Sequence, residues 1–184
     1  MVRCRDGPAS TVARVDVELR PLTLHDAPVM AAAFRALGWP GKTEEDYAAY
    51  FARQQSGELV VLVAWSGGQF VGYGCVTWRS EYPPFRDGSI PEIQDLNVLP
   101  DHRRQGVGTA LLDALERMIA ARSPVAGPGV GVYADYGSAM RLYVARGYQF
   151  DGRGLMSAGQ QVEPGSTVRI DDDVTLMLTK SLRP

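Results

Sequence analysis

Two groups of residues between Ile90 and Ile119 (I-P-E-I-Q-D-L-N-V-L-P-D-H-R-R-Q-G-V-G-T-A-L-L-D-A-L-E-R-M-I) could do chemistry. Glu92 and Asp95 are carboxylates on or beside an apolar run, where a carboxylate can serve as a general base. Arg103 and Arg104 stand next to Gly106 and Gly108, which keep the main chain clear of side chains so that a ligand can approach closely. From Val107 onward, Ala110, Leu111, Ala114, Leu115, Met118 and Ile119 recur at the spacing of one buried helical face. The glycine turn therefore opens a helix, whose orphan N–H groups and positive dipole end favour a phosphate. Rival phosphate motifs fail: no Gly-Lys-Ser/Thr of a P-loop follows, and Leu111 stands where a dinucleotide fingerprint needs its third glycine.

The elements that must position these residues can be read around them. Residues 1–13 are expected to be a disordered leader by composition and position, and 14–184 a single domain. Val15–Arg20 alternates as a half-buried strand does; Thr23 with Asp26, and Thr43 with Asp46, open two helices separated by Gly38-Trp39-Pro40-Gly41. Leu59–Trp65 and Phe70–Trp78 form a hairpin across Ser66-Gly67-Gly68. A loop rich in Tyr, Pro and Phe, Ser80–Ser89, leads into the central strand. After the long helix come a breaker-rich loop over residues 123–129, a strand over Val130–Ala134, a helix over Ser138–Arg146, and strands beginning at Tyr148 and at Val174. Residues 152–165 are too rich in glycine to assign.

Composition narrows the function. At 184 residues with a net charge of −2 the chain can bury a substantial core and has no basic stripe for nucleic acid. Cys4 and Cys75 lack metal spacing, so no metal site is expected and a reducing cytoplasm fits. No apolar run reaches membrane-spanning length, which predicts a soluble protein.

The segment with Arg103, Gly106 and Gly108, after a strand and before a helix, resembles the acetyl-CoA signature of the GCN5-related N-acetyltransferases (GNAT). Ala139-Met-Arg-Leu142-Tyr143-Val-Ala-Arg-Gly147-Tyr148 is similar to that family's later motif, and the resemblance covers roughly residues 15 to 180. It implies an α/β (α+β) fold of order βααβββαβαββ. Such a fold has a mixed, mostly antiparallel six- to seven-stranded sheet with helices on both faces. It also implies a CoA site made of Leu96, Asn97, Val98, Arg103, Arg104, Gln105, Gly106, Val107, Gly108 and Thr109. Tyr136 stands where many members carry an asparagine that assists CoA, a departure from the pattern. Homodimers are common in similar enzymes.

An amine attacking a thioester must first lose a proton, because an alkylammonium titrates near pH ~10. The resemblance makes Tyr143 the acid that meets the departing sulfur, although on its helix face it would equally serve as a core aromatic. Glu92 and Asp95 lie three apart and face opposite sides of a regular strand, so only one enters the cleft unless a bulge intervenes. Glu92 is the preferred base, directly or through water. Family architecture points to Trp39, Trp78, Tyr82 and Asp173 around the acceptor, where aromatics and carboxylates would suit a cationic amine. The expected function is acetyl-CoA-dependent acetylation of a small-molecule primary amine. Acetylation of a protein N-terminus or lysine, and CoA sensing without catalysis, are the alternatives.

Overall fold

A computed structural model describes residues 16–39 and 41–183; the expected leader lies outside them. In chain order the elements are β1 (Glu18–Pro21), α1 (Ala27–Ala36), α2 (Glu44–Gln55), β2 (Leu59–Ser66), β3 (Gln69–Thr77), α3 (Pro83–Asp87) and β4 (Glu92–Val98). There follow α4 (Val107–Ala120), β5 (Val125–Gly131), α5 (Gly137–Ala145), β6 (Gln149–Ser157), β7 (Gln160–Gln161) and β8 (Val174–Ser181). Both expected capping boxes form: Asp26 accepts from the N–H of Thr23, and Asp46 from the N–H of Thr43, each at 2.8 Å.

Among the described residues the strands make one eight-stranded sheet in the order β1-β2-β3-β4-β5-β8-β6-β7. Every neighbouring pair is antiparallel except β4 and β5. The short β7 takes the count past the expected six to seven. Helices cover both faces, which explains why β2 reads as an unbroken apolar run: successive side chains point to opposite faces, and both faces are buried. Leu62, Val76 and Ile93 pack under Leu111, Leu112, Leu115 and Ile119 of α4. Val61, Val63, Tyr73 and Cys75 meet Met30 and Phe34 of α1 and Tyr47 of α2. Burying each large apolar side chain contributes roughly 1.5–3 kcal/mol, so α4 is anchored by its leucines rather than by its glycine-containing first turn.

Two expectations about irregular segments are corrected. The breaker-rich stretch Val125-Ala-Gly-Pro-Gly-Val-Gly131 is strand β5, and the strand expected over Val130–Ala134 ends at Gly131, where a turn toward α5 begins. Its glycines are there because neighbours fill their side-chain space. A Cβ on Gly127 would fall 2.2 Å from the Phe85 ring, and one on Gly131 would fall 2.5 Å from the Tyr136 ring. The Ser80–Ser89 loop contains the one-turn helix α3, which brings Phe85 against that strand.

Candidate active site

The ladder between β4 and β5 has only two rungs, Glu92 opposite Gly127 and Ile93 opposite Pro128. Pro128 has no N–H to continue the ladder, and beyond it the rest of β4 has no ladder partner on β5. The sheet therefore opens along the strand that carries the candidate site. Leu96, Asn97 and Val98 lie on this stretch, all partly buried.

At the end of β4 the chain makes one 3-10 turn, Pro100–His102, and then enters α4 through Gly106 at φ 92°. Among the described residues, the N–H groups of Arg104, Gln105, Gly106, Val107, Gly108 and Thr109 donate to no acceptor. Gly108 packs flush against Leu142 and Val98. Six successive free amides at a helix start suit a diphosphate. Arg103 is turned away from them: its Nε donates to the carbonyl of Val98 at 3.1 Å, and its guanidinium lies 5.9 Å from the Trp39 ring centroid. Gln105 Nε2 is likewise occupied, by the carbonyl of Asp101 at 2.8 Å. Arg104 remains exposed in the turn, at φ 59°.

The opposing residues of β3 and β4 slip at mid-strand: Cys75 pairs with Gln94, but Tyr73 pairs with Asn97, so Asp95 and Leu96 together face Gly74. Asp95 takes φ 51°, the left-handed region, at this bulge. The extra residue reverses the alternation. Leu96 packs with the α4 core, while Asp95 reaches the α1/α2 face that Glu92 also occupies. The bulge that sequence spacing left open is present, and both carboxylates share one side.

Their surroundings differ. Glu92, 9% exposed, accepts from Ser80 Oγ at 2.5 Å, and burial pushes its carboxyl up against the opposing pull of Ser80 and Gln94. Asp95 accepts from Lys42 Nζ at 2.9 Å and from the Tyr50 hydroxyl. Lys42 Nζ also donates to the Tyr73 hydroxyl at 2.8 Å and lies 5.5 Å from that ring's centroid. Lys42, Tyr47, Tyr50 and Arg53 line a hollow of about 170 Å³. Arg53 is shared with a cleft of about 520 Å³ lined by Thr77, Trp78, Arg79, Ser80 and Arg86. The larger cleft borders Ser80, the partner of Glu92; its volume is that of an ordinary small-molecule site.

Tyr143 on α5 is 3% exposed and packs edge-on against Tyr148 at 5.4 Å. Burial pushes its phenol up, so it keeps its proton at neutral pH. Tyr136 lies against Gly131 and donates its hydroxyl to Asp172 Oδ1 at 2.8 Å, in company with Tyr133. Of the aromatics expected at the acceptor, Trp78 lines the larger cleft. Trp39 packs on Phe34 at 5.5 Å, and Tyr82 is buried with its hydroxyl on Asp151 at 2.6 Å. Asp173 is exposed in the turn before β8, its N–H bonded to Asp171 at 3.1 Å. Lys42, Tyr50, Tyr73 and Ser80 were not anticipated. Lys42 carried a signal all the same, as one of two lysines (with Lys180) among 19 basic residues.

Residues 27–148 match the family model described as the acetyltransferase (GNAT) family, and the chain belongs to that family. It is 35% identical over 121 residues to a mycothiol acetyltransferase of Parafrankia sp. (strain EAN1pec), covering 65% of this chain and 33% of that protein. The chain thus spans about a third of the length of the curated relative it matches. Two solved structures share the fold. The PaiA N-acetyltransferase of Thermoplasma acidophilum in complex with coenzyme A has a TM-score of 0.62 at 13% identity, over 90% of this chain and 99% of that one. A phosphinothricin acetyltransferase from Sinorhizobium meliloti in complex with acetyl-CoA has a TM-score of 0.65 at 20% identity, over 90% and 88%.

Proposed function

We propose that the protein transfers the acetyl group of acetyl-CoA to a primary amine of a small molecule, by direct attack in a ternary complex. The observation that carries this reading is the continuity of two features on one strand. The free amides of Arg104–Thr109 follow directly from β4, and the same strand carries Glu92, whose partner Ser80 lines the larger cleft, and Asp95, whose partners Lys42 and Tyr50 line the smaller hollow. Bound acetyl-CoA supplies an activated acyl carbon, and the chain's own groups do the rest. The amides of the turn hold the diphosphate, and the unpaired edge of Leu96–Val98 accommodates the arm. Arg103 braces the turn against Val98 rather than touching phosphate, while Arg104 supplies positive charge at its rim. Tyr136, propped by Asp172, closes the β5 side in place of the family's asparagine.

Glu92 takes the amine's proton, its raised proton affinity matching that task better than an ordinary carboxylate would. Asp95, fixed by Tyr50, orients the ammonium beforehand. Tyr143, protonated throughout the neutral range, gives its proton to the departing sulfur. Trp78 forms the acceptor's wall; Trp39 on Phe34, Tyr82 on Asp151 and Asp173 in the turn before β8 do not line that cleft. A screen of primary amines with acetyl-CoA, followed by free-thiol release, tests the reading. Turnover with at least one small amine supports it. Turnover confined to peptide amines, or CoA binding without any turnover, overturns it.

A further inference from the structure

The chain places one of its own primary amines on the carboxylate assigned to the acceptor's ammonium. Lys42 Nζ sits 2.9 Å from Asp95 Oδ1 and 2.8 Å from the Tyr73 hydroxyl, over the bulge of β4 and inside the hollow bounded by α2. A composition of 17 arginines and two lysines makes the choice of lysine at this point informative. Arginine also pairs with carboxylates, but only lysine can lose a proton and act as a nucleophile. Gly41, at φ +68°, precedes Lys42 and gives its backbone a freedom that other residues lack.

We infer that Lys42 is a self-acetylation site: in the absence of an external amine, its Nζ accepts the acetyl group within the same molecule. This rests on the acyl-transfer reading above. The ammonium gives one proton to Asp95 and thence to water, and the freed lone pair forms the bond to the thioester carbonyl carbon. The C–S bond breaks, its electron pair leaves on sulfur, and the second nitrogen proton balances the thiol. The products are a neutral amide, free thiol and one proton. The acetylated side chain can no longer pair with Asp95 as a cation, so the modification removes the charge that occupies the acceptor's place.

Lys180 is a built-in control. Its side chain is as exposed as that of Lys42, 21% in each case, and it too is paired with a carboxylate, Glu116 at 2.8 Å. Uncatalysed acetylation would mark both lysines alike. The test is to incubate the full chain with acetyl-CoA alone and follow intact mass and peptide maps with time. The expected result is one acetyl group on Lys42, at a rate independent of protein concentration. Lys180 should be marked roughly a hundredfold more slowly, the scale of general-base assistance. In Lys42→Arg, which keeps the charge, the mark should vanish; in wild type an added acceptor amine should slow it. Equal marking of both lysines, marking that accelerates with protein concentration, or no marking overturns the proposal. If small amines release thiol while Lys42 stays unmodified, self-acetylation fails and the acyl-transfer reading stands. If neither occurs, both fail.

Discussion

Burial of Glu92 beside Ser80 raises the proton affinity of its carboxyl, and this has opposite consequences for catalysis and for stability. With a folded value above the unfolded one, the carboxyl's contribution is fully present below the unfolded value of about 4.3 and is lost as pH rises through the folded value. Glu92→Gln should therefore be more stable than wild type at pH 7, by about 1 kcal/mol, with the difference vanishing in acid, as urea unfolding at the two pH values would reveal. The same variant should lose roughly a hundredfold in kcat/KM if Glu92 is the base. Tyr143→Phe should lower kcat by about tenfold to a hundredfold while leaving the dissociation constant for CoA within about twofold. Equal loss in both would mean that Tyr143 shapes the pocket rather than donating a proton.

At the scale of elements, the first turn of α4 and strand β5 make contrasting demands on glycine. Gly106 is left-handed with open space around it, whereas Gly108 has ordinary contacts at 3.4 and 3.6 Å where a Cβ would stand. Gly106→Ala should cost about 1 kcal/mol of stability and weaken CoA binding severalfold, and Gly108→Ala should do much less of the first. Gly127→Ala should destabilise by about 2 kcal/mol or more, because Phe85 must leave its place. These contrasts mark what was readable in advance. The α4 stripe and both capping boxes depend on local spacing, so the four longer helices and the amide turn were legible. Strand β5 was hidden because its glycines answer to Phe85 and Tyr136, distant in sequence. The shared face of Glu92 and Asp95 was hidden because a bulge is a matter of register with β3, and Lys42 because its partner lies on another element.

For the whole molecule, one sheet carries the two larger cores, and residues 16–183 should unfold in a single cooperative transition. Part-buried ion pairs tie helices and turns to it. Burial of Asp26 opposes ionisation, but paired bonds from Arg20 at 2.7 Å and bonds from Thr23 prevail and hold its carboxyl below the usual range. Arg146 and Lys180 do the same for Glu116, joining α4 to the end of α5 and to β8. Stability from such depressed carboxyls is present above their unfolded values, about 4, and is lost as pH falls through the folded values. Melting temperature should therefore drop steeply below about pH 4, and Asp26→Asn should cost about 2 kcal/mol at pH 7 but little in acid.

The donor site bears the weight of this account, and CoA titration followed by backbone amide NMR addresses it directly. The amides of Arg104 through Thr109 are expected to shift together and saturate with one CoA per chain, along with Leu96–Val98 and not the β6–β7 hairpin. Saturable binding that leaves those six amides unmoved would contradict it.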